Sequence, residues 1–269
     1  MIVHREIEDW QKHRRNEEAG GAWSAGFVPT LGGLHAGHGS LIARSRQENP
    51  ATVVSVFLNP AQFDQQADLD QYPAELEKDL AQLDAWGVDH VLLPTAEAMY
   101  PDDYRYRVTE NDVSRRFCGA HRPGHFDGVL TVVLKLLNLV RPRRAYFGEK
   151  DWQQLSLVRD MASAFFLDLE IVACPVVREE SGLALSSRNA RLDARQRALA
   201  PELLRSLRTE STPEAAARRL QSLGFEVDYV ADHDGRRLAA ARLGEVRLID
   251  NISLDAAPNG PGKESAHAS

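Results

Sequence analysis

The sequence predicts an α/β fold with a parallel sheet, followed by a smaller α+β unit. Three observations carry that reading. Short β-branched or apolar runs alternate with amphipathic helical stretches as far as residue 177, the pattern of parallel strands joined by crossover helices. The turn after the first core strand is glycine-rich and opens directly into a helix. Near residues 177–192 the pattern changes, and two helices then precede two strand candidates. With 269 residues, 43% hydrophobic and 26% charged, the composition is that of a soluble globular protein with one large or two smaller domains. The net charge of −7 gives no general attraction for nucleic acid, so any phosphate binding has to be local. Residues 129–140 form an apolar run, but Lys135 and Asn138 interrupt it and it is too short to span a bilayer. Neither nucleic acid nor membrane is expected as a partner. Cys118 and Cys174 are too few for a disulfide framework, and the N-terminus lacks the apolar core of a signal peptide, which points to the cytoplasm.

Taken in order, residues 5–19 read as a polar helix and 25–28 as the first core strand. Pro29 is expected to end that strand, because it has no N–H for a central ladder. A helix over 37–47 turns Leu41, Ile42 and Ser45 inward. Residues 52–57 are a β-branched strand that stops at Asn59-Pro60. A helix over 73–86 sets Leu76, Leu80, Leu83 and Trp86 in register, with Gly87 as its C-terminal stop. Residues 89–93 are a short strand, and 100–127, rich in aromatics, arginines and glycines, read as an ordered loop over a site. A buried helix over 129–140 stops before Pro142. A strand at 145–147, a helix at 151–164 and a strand at 169–177 broken at Pro175 follow. The second unit has helices at 193–207 and 213–223 and strands at 226–230 and 245–250. The expected division is 1–177, then 186–254, then an Ala/Pro/Gly/Ser-rich tail, 255–269, that is expected to be disordered.

In an open parallel sheet, ligands bind beyond the carboxyl ends of the strands. Three polar segments follow strands and converge there: residues 30–38, 59–63 and 148–151. The first organises the others. Gly32 and Gly33 let a ligand approach the main chain closely. The helix start offers unpaired N–H groups and the positive end of a dipole. His35 and His38, three residues apart, are placed to point the same way. Two imidazoles and several backbone amides aimed at one point make a seat for a phosphoryl group with growing charge. The H-x-G-H string resembles the signature of the nucleotidylyltransferase (HIGH) superfamily, whose members use it to bind ATP and transfer AMP.

A larger resemblance lies in an ordered set of strings: VPT-LGGLHAGH, FLNPAQF, DLDQYP, RPGHFDGV, YFGEKDWQQL and LALSSRN, with VRLIDNISL near the end. Together they resemble the pantothenate synthetase (pantoate–β-alanine ligase) family, densely over residues 20–195. The resemblance implies a Rossmann-like first domain, a small C-terminal lid domain and a homodimer. It also implies a reaction that joins pantoate to β-alanine with ATP and Mg²⁺ through a pantoyl-adenylate, releasing pyrophosphate and AMP. Carried over by position, His35, His38, Lys150, Ser186, Ser187 and Arg188 are the catalytic set. Pro29, Thr30, Leu31, Gly32, Gly148, Lys150, Asp151, Val177 and Leu185 would bind ATP. Gln62 and Gln154 would bind pantoate, with Asn59 shaping the same pocket. No metal cage is visible, so Mg²⁺ is expected to ride largely on the ATP phosphates and water, with Asp68 and Asp70 of the DLDQYP string left open as an assisting pair. Arg122 and His125 are weaker candidates, while His4, His13, His90, His121, His233 and His267 read as surface residues. Several positions depart from the family pattern: Leu31, Gly33 and Ala36 stand where it has methionine, alanine and glutamate. Gly39 replaces a leucine of the family pattern, with Trp152 as one side chain able to fill the space, and residues 230–242 are shorter than the family leads one to expect. The alternatives are a related adenylate-forming ligase for another acid or amine, and a non-catalytic nucleotide-binding protein. The complete set of His35, His38, Lys150 and the Ser-Ser-Arg loop argues against the second.

Overall fold

In the computed structural model, residues 1–21, 23–64, 69–70, 72 and 75–255 are described. The expected tail beyond residue 255 lies outside them. Six apolar runs pair in parallel: β1 (Ile2–His4), β2 (Ala25–Thr30), β3 (Ala51–Val56), β4 (His90–Leu92), β5 (Arg144–Gly148) and β6 (Glu170–Cys174). Their order across the sheet is β1-β4-β3-β2-β5-β6. Helices cover both faces: α1 (Ile7–Ala19), α2 (Ala36–Glu48), α3 (Leu76–Ala85), α4 (Ala96–Met99), α5 (His125–Val140) and α6 (Trp152–Ala164). Because side chains alternate along a strand, neighbours enter opposite cores. Phe27, Val53 and Phe147 pack with Val129, Leu130 and Val133 of α5 and Leu155 of α6. Val28, Val54 and Tyr146 pack with Leu41 and Ile42 of α2 and Leu83 of α3.

The chain steps from β2 to β3 and β4, then returns to place β5 on the other side of β2. The carboxyl ends of β2 and β5 therefore flank the point where the strand order reverses, the usual position of a ligand crevice in such sheets.

Pro29 lies inside β2, opposite Ser55 of β3, contrary to the expectation that it would end the strand. The ladder between β2 and β5 runs through Gly26 and Phe27 only, so beyond Phe27 that side of β2 needs no donor at Pro29. The buried helix α5 starts at His125 rather than 129. In α3, Leu83 is fully buried but Leu76 is exposed, outside the register expected of it.

A second sheet, antiparallel and ordered β7-β8-β9, comprises β7 (Glu226–His233), β8 (Arg236–Leu243) and β9 (Val246–Ser253). It packs on α7 (Ala194–Leu199), α8 (Glu202–Thr209) and α9 (Pro213–Ser222). The single helix expected over 193–207 is two, because α7 ends at Leu199 and Pro201 precedes α8. The segment 230–242 holds the tight hairpin between β7 and β8, turning at Asp234 and Gly235, whose φ values are 46° and 70°. Neither β8 nor β1 was expected from the sequence.

The space left by Gly39 is filled by Trp86, not by Trp152. A Cβ at Gly39 would lie 3.1 and 3.2 Å from two carbons of the Trp86 ring. Trp152 instead stacks beneath the Arg236 guanidinium, 3.7 Å from the ring centroid. Gly39→Leu should therefore destabilise by about 1–3 kcal/mol through overpacking, with turnover at saturating substrate unchanged. Thermal unfolding at or above the wild-type midpoint would show that the contact with Trp86 is not tight.

Candidate active site

The site begins with how β2 hands over to α2. Thr30 Oγ donates to the Ser55 carbonyl at 2.7 Å and accepts the Gly32 amide at 3.3 Å, which starts the turn. Gly32 and Gly33 follow with φ of 86° and 63°, angles that cost glycine little. The amides of Gly33 and Leu34 then each donate at 2.8 Å to the two oxygens of Asp79, a carboxylate of α3 that is only 2% exposed. This corrects one expectation. The amides of Gly33 and Leu34 face Asp79, not an incoming phosphate.

The two histidines cap α2 reciprocally. His35 Nδ1 accepts the Gly37 amide at 3.1 Å, and His38 Nδ1 accepts the His35 amide at 3.3 Å. A ring nitrogen that accepts carries no proton, so each neutral ring keeps its hydrogen on Nε2. Burial, and then the neighbouring Lys150 cation, lowers the His35 pKa to about 4. Burial, and then His35, lowers His38 to about 3. Both rings are therefore neutral Nε2–H donors near neutral pH, with ring centroids 4.1 Å apart on the cleft wall. Gly37 makes this possible, since a Cβ there would come within 2.8 Å of the His35 ring.

Across the switch point, Lys150 projects from the turn after β5, its Nζ 3.7 Å from Asp151 Oδ1. A Cβ on Gly148 would meet no protein atom within 4 Å, so the backbone there is open to a ligand. The second sheet holds this turn from behind. Asn251 of β9 donates to the carbonyls of Glu149 and Lys150 at 2.8 and 3.1 Å, and Arg236 of β8 pairs with Glu149 at 3.0 Å.

A third wall comes from the segment after β3. Gln62 is held through its carbonyl, which accepts from His125 Nδ1 at 2.7 Å and from Arg122 at 3.2 Å. Arg122 also donates to His125 Nε2 at 3.1 Å and pairs with Asp64 at 3.1 Å, so the imidazole is neutral with its proton on Nδ1. Burial, and then Arg122, lowers the His125 pKa to about 3. Asn59 is fully buried behind Gln62. It donates to Gln62 Oε1 at 3.1 Å and to the Gly128 carbonyl, and accepts from Tyr100 and Tyr104. It orients Gln62 from behind and does not line the cleft. Gly128 allows α5 to approach, since a Cβ there would sit 2.3 Å from the Ala61 carbonyl oxygen.

Of the residues singled out from the sequence, the structure brings fifteen to one cleft: His35, His38, Lys150, Ser186, Ser187, Arg188, Pro29, Thr30, Leu31, Gly148, Asp151, Val177, Leu185, Gln62 and Gln154. Gly32, like Asn59, stands just behind it, and its carbonyl accepts from Tyr72 at 3.3 Å. Ser186 caps the short helix Ser187–Arg191, Ser187 reaches the Tyr72 hydroxyl at 3.4 Å, and the Arg188 guanidinium lies over the Tyr72 ring. Arg122 and His125 line the cleft too. The sequence reading did not find Asp79, Tyr72 or Asn251, although Tyr72 lies within DLDQYP and Asn251 within VRLIDNISL. His4, His13 and His90 are half-buried and clustered, not on the surface as expected, their ring centroids 4.7–5.5 Å apart.

The neutral histidines set a pH dependence of stability. The folded pKa values of His35, His38 and His125 lie below the unfolded value of about 6.5, so the unfolded chain binds protons that the native state does not. Their contribution is complete above about pH 6.5 and is lost as pH falls toward about 4 and then 3. Urea midpoints should drop between about pH 7 and 5, a range in which ordinary carboxylates stay ionised. A midpoint that stays level across this range would mean these rings titrate normally.

A model of the pantoate-beta-alanine ligase family matches residues 2–253. A pantothenate synthetase of Bdellovibrio bacteriovorus is 50% identical over 252 residues, covering 94% of this chain and 99% of its own. One from Legionella pneumophila (strain Corby) is 46% identical over 254 residues, covering 94% and 100%. Among solved structures, a pantoate-beta-alanine ligase from Francisella tularensis superposes with a TM-score of 0.89 at 36% identity, covering 96% of this chain and all of that one. With a site of this geometry at the sheet's switch point and likeness across nearly its whole length, the chain belongs to the pantoate–β-alanine ligase family.

Proposed function

We propose that this chain condenses pantoate with β-alanine at the expense of ATP, through a pantoyl-adenylate. One observation carries the reading: two neutral imidazole donors and Lys150 share a single cleft with the paired amides Gln62 and Gln154. The F. tularensis relative is described in complex with β-γ ATP and β-alanine, the nucleotide and amine this reaction needs. A carboxylate is a poor electrophile. An oxygen of pantoate therefore attacks the α-phosphorus, the bond to the β-phosphate oxygen breaks, and pyrophosphate leaves with that electron pair. Negative charge grows on the α-phosphate oxygens and on the leaving group, where the Nε2–H donors of His35 and His38 and the Lys150 ammonium are placed to meet it. Gln62, fixed by Asn59, His125 and Arg122, and Gln154 each offer an amide that both donates and accepts, matching an acid that also bears hydroxyls. In the second step the unprotonated amine attacks the acyl carbon, the bond to AMP breaks, and the amine's surplus proton passes to solvent.

The only acidic side chain lining the cleft, among the described residues, is Asp151. That suits Mg²⁺ carried by the nucleotide's phosphates and water, screening their charge, and not an ion caged by protein. On this reading residues 1–177 form the nucleotide and pantoate domain. Residues 186–254 form the lid, with Ser186, Ser187 and Arg188 closing on the triphosphate. The family resemblance supports a cytoplasmic homodimer. Gly39 packs against Trp86, so this departure from the family pattern does not enlarge the acid pocket, which favours pantoate over a bulkier acid.

The deciding assay is exchange of labelled pyrophosphate into ATP. It should require pantoate and Mg²⁺, and AMP should accumulate once β-alanine is added. ADP as the stoichiometric product would replace the adenylate with an acyl phosphate and end this reading.

A further inference from the structure

Three imidazoles that this reaction does not use meet at the outer edge of the sheet. His4 ends β1, His90 begins β4 and His13 lies on α1, with β3 between this edge and the cleft strand β2. One ring nitrogen from each lies within 4.8 Å of the others, the only such group of three among the described residues. His4 Nε2 is 3.3 Å from His90 Nδ1. Two nitrogens bound to one tetrahedral ion at about 2.0–2.1 Å stand about 3.3 Å apart. A hydrogen bond between His4 and His90 would account for that pair alone. It leaves the third ring unexplained, because His13 Nε2 is buried with no hydrogen-bond partner. A buried polar nitrogen without a partner calls for an explanation, and a bound ion supplies one for all three rings together.

We propose that His4, His13 and His90 form a binding site for a divalent transition metal, Zn²⁺ or a similar borderline ion, with solvent in the fourth position. Three imidazoles suit such ions, and a set made of ring nitrogens with no carboxylate among them is a poor seat for Mg²⁺ or Ca²⁺. The ligands come from three separate elements, so the ion would fasten the exposed edge strand β1, with Ile2 52% exposed, to α1 and β4. Its role would be structural and independent of nucleotide.

The test uses the full chain without an affinity tag, stripped with a chelator and kept free of ATP and Mg²⁺. Trp10 is a built-in reporter, its ring centroid 5.0 Å from that of His4 and 6.0 Å from that of His13. Cu²⁺ should quench its fluorescence at one equivalent, Co²⁺ should give the visible absorption of a tetrahedral site, and Zn²⁺ at a hundredfold excess over its Kd should raise Tm by about 5 °C. His13→Gln should weaken Co²⁺ and Zn²⁺ binding about a hundredfold or more, with circular dichroism unchanged. His90→Gln provides the same test should His13→Gln fold poorly. His121→Gln, an exposed histidine outside the cluster, should bind as the wild type does. No binding at one equivalent, or full-affinity binding in a folded His13→Gln or His90→Gln variant, would overturn the proposal.

Discussion

His38→Ala and His35→Ala should each lower kcat about a hundredfold, close to 3 kcal/mol, the usual cost of losing a donor that acts mainly in the transition state. The two roles of His35 can be separated. Its Nδ1 caps α2 by accepting the Gly37 amide, and only its Nε2–H is left for the phosphate. Asparagine is a good N-cap but too short to reach where Nε2 reaches. His35→Asn should therefore recover the stability lost in His35→Ala, about 1 kcal/mol, and recover little of the turnover. The His35/His38 double variant should cost less than the sum of the two singles, because the His38 ring holds the His35 backbone while the His35 ring caps the same turn at Gly37. Near-normal turnover in His38→Ala at saturating ATP and pantoate would remove this histidine from the mechanism.

The second large effect is expected at Asp79, a residue that does not itself line the cleft. Asp79→Ala leaves the amides of Gly33 and Leu34 without their acceptors at a buried position. Each unsatisfied amide costs about 1–3 kcal/mol, so a loss of about 3 kcal/mol in urea denaturation is expected. The turn that delivers His35 should also lose its geometry, so kcat/KM for ATP should fall together with stability. Asp79→Asn, which keeps one acceptor oxygen, should lie between the two. A stability change under about 0.5 kcal/mol, the range of ordinary surface substitutions, would mean that the turn holds itself.

Most of the first sheet was legible because its strands announce themselves. Residues 51–56 and 144–148 bury one residue on each face in turn, and the chemistry sits at the ends where strand gives way to glycine. The second sheet was harder to read. Strand β8 reads RRLAAARL, and a run of alanines flanked by arginine and leucine favours helix locally. The small side chains are there because Ala239 and Ala241 share one buried cluster with Leu203 and Leu207 of α8 and Ala216 and Leu220 of α9, a tertiary demand that no window of sequence displays. Asp79 stayed hidden for a related reason. It sits among Glu77, Lys78 and Asp84 on a helix whose charges look solvated, and its partners lie 45 and 46 residues away. Asn59 was placed in the right neighbourhood, but the sequence could not tell a residue that touches substrate from one that holds the residue in front of it.

The grip of Asn251 and Arg236 on Glu149 and Lys150 bears on how the chain can be divided. A gene fragment ending near residue 177 would retain every strand of the parallel sheet and both histidines, yet its lysine turn would have lost the brace supplied by the last strands of the protein. The two halves are thus not exchangeable modules. A chimera that grafts the C-terminal unit of one homologue onto the parallel-sheet half of another must carry matching residues at 149, 236 and 251. Inheritance of these positions as a set is what a family alignment should reveal.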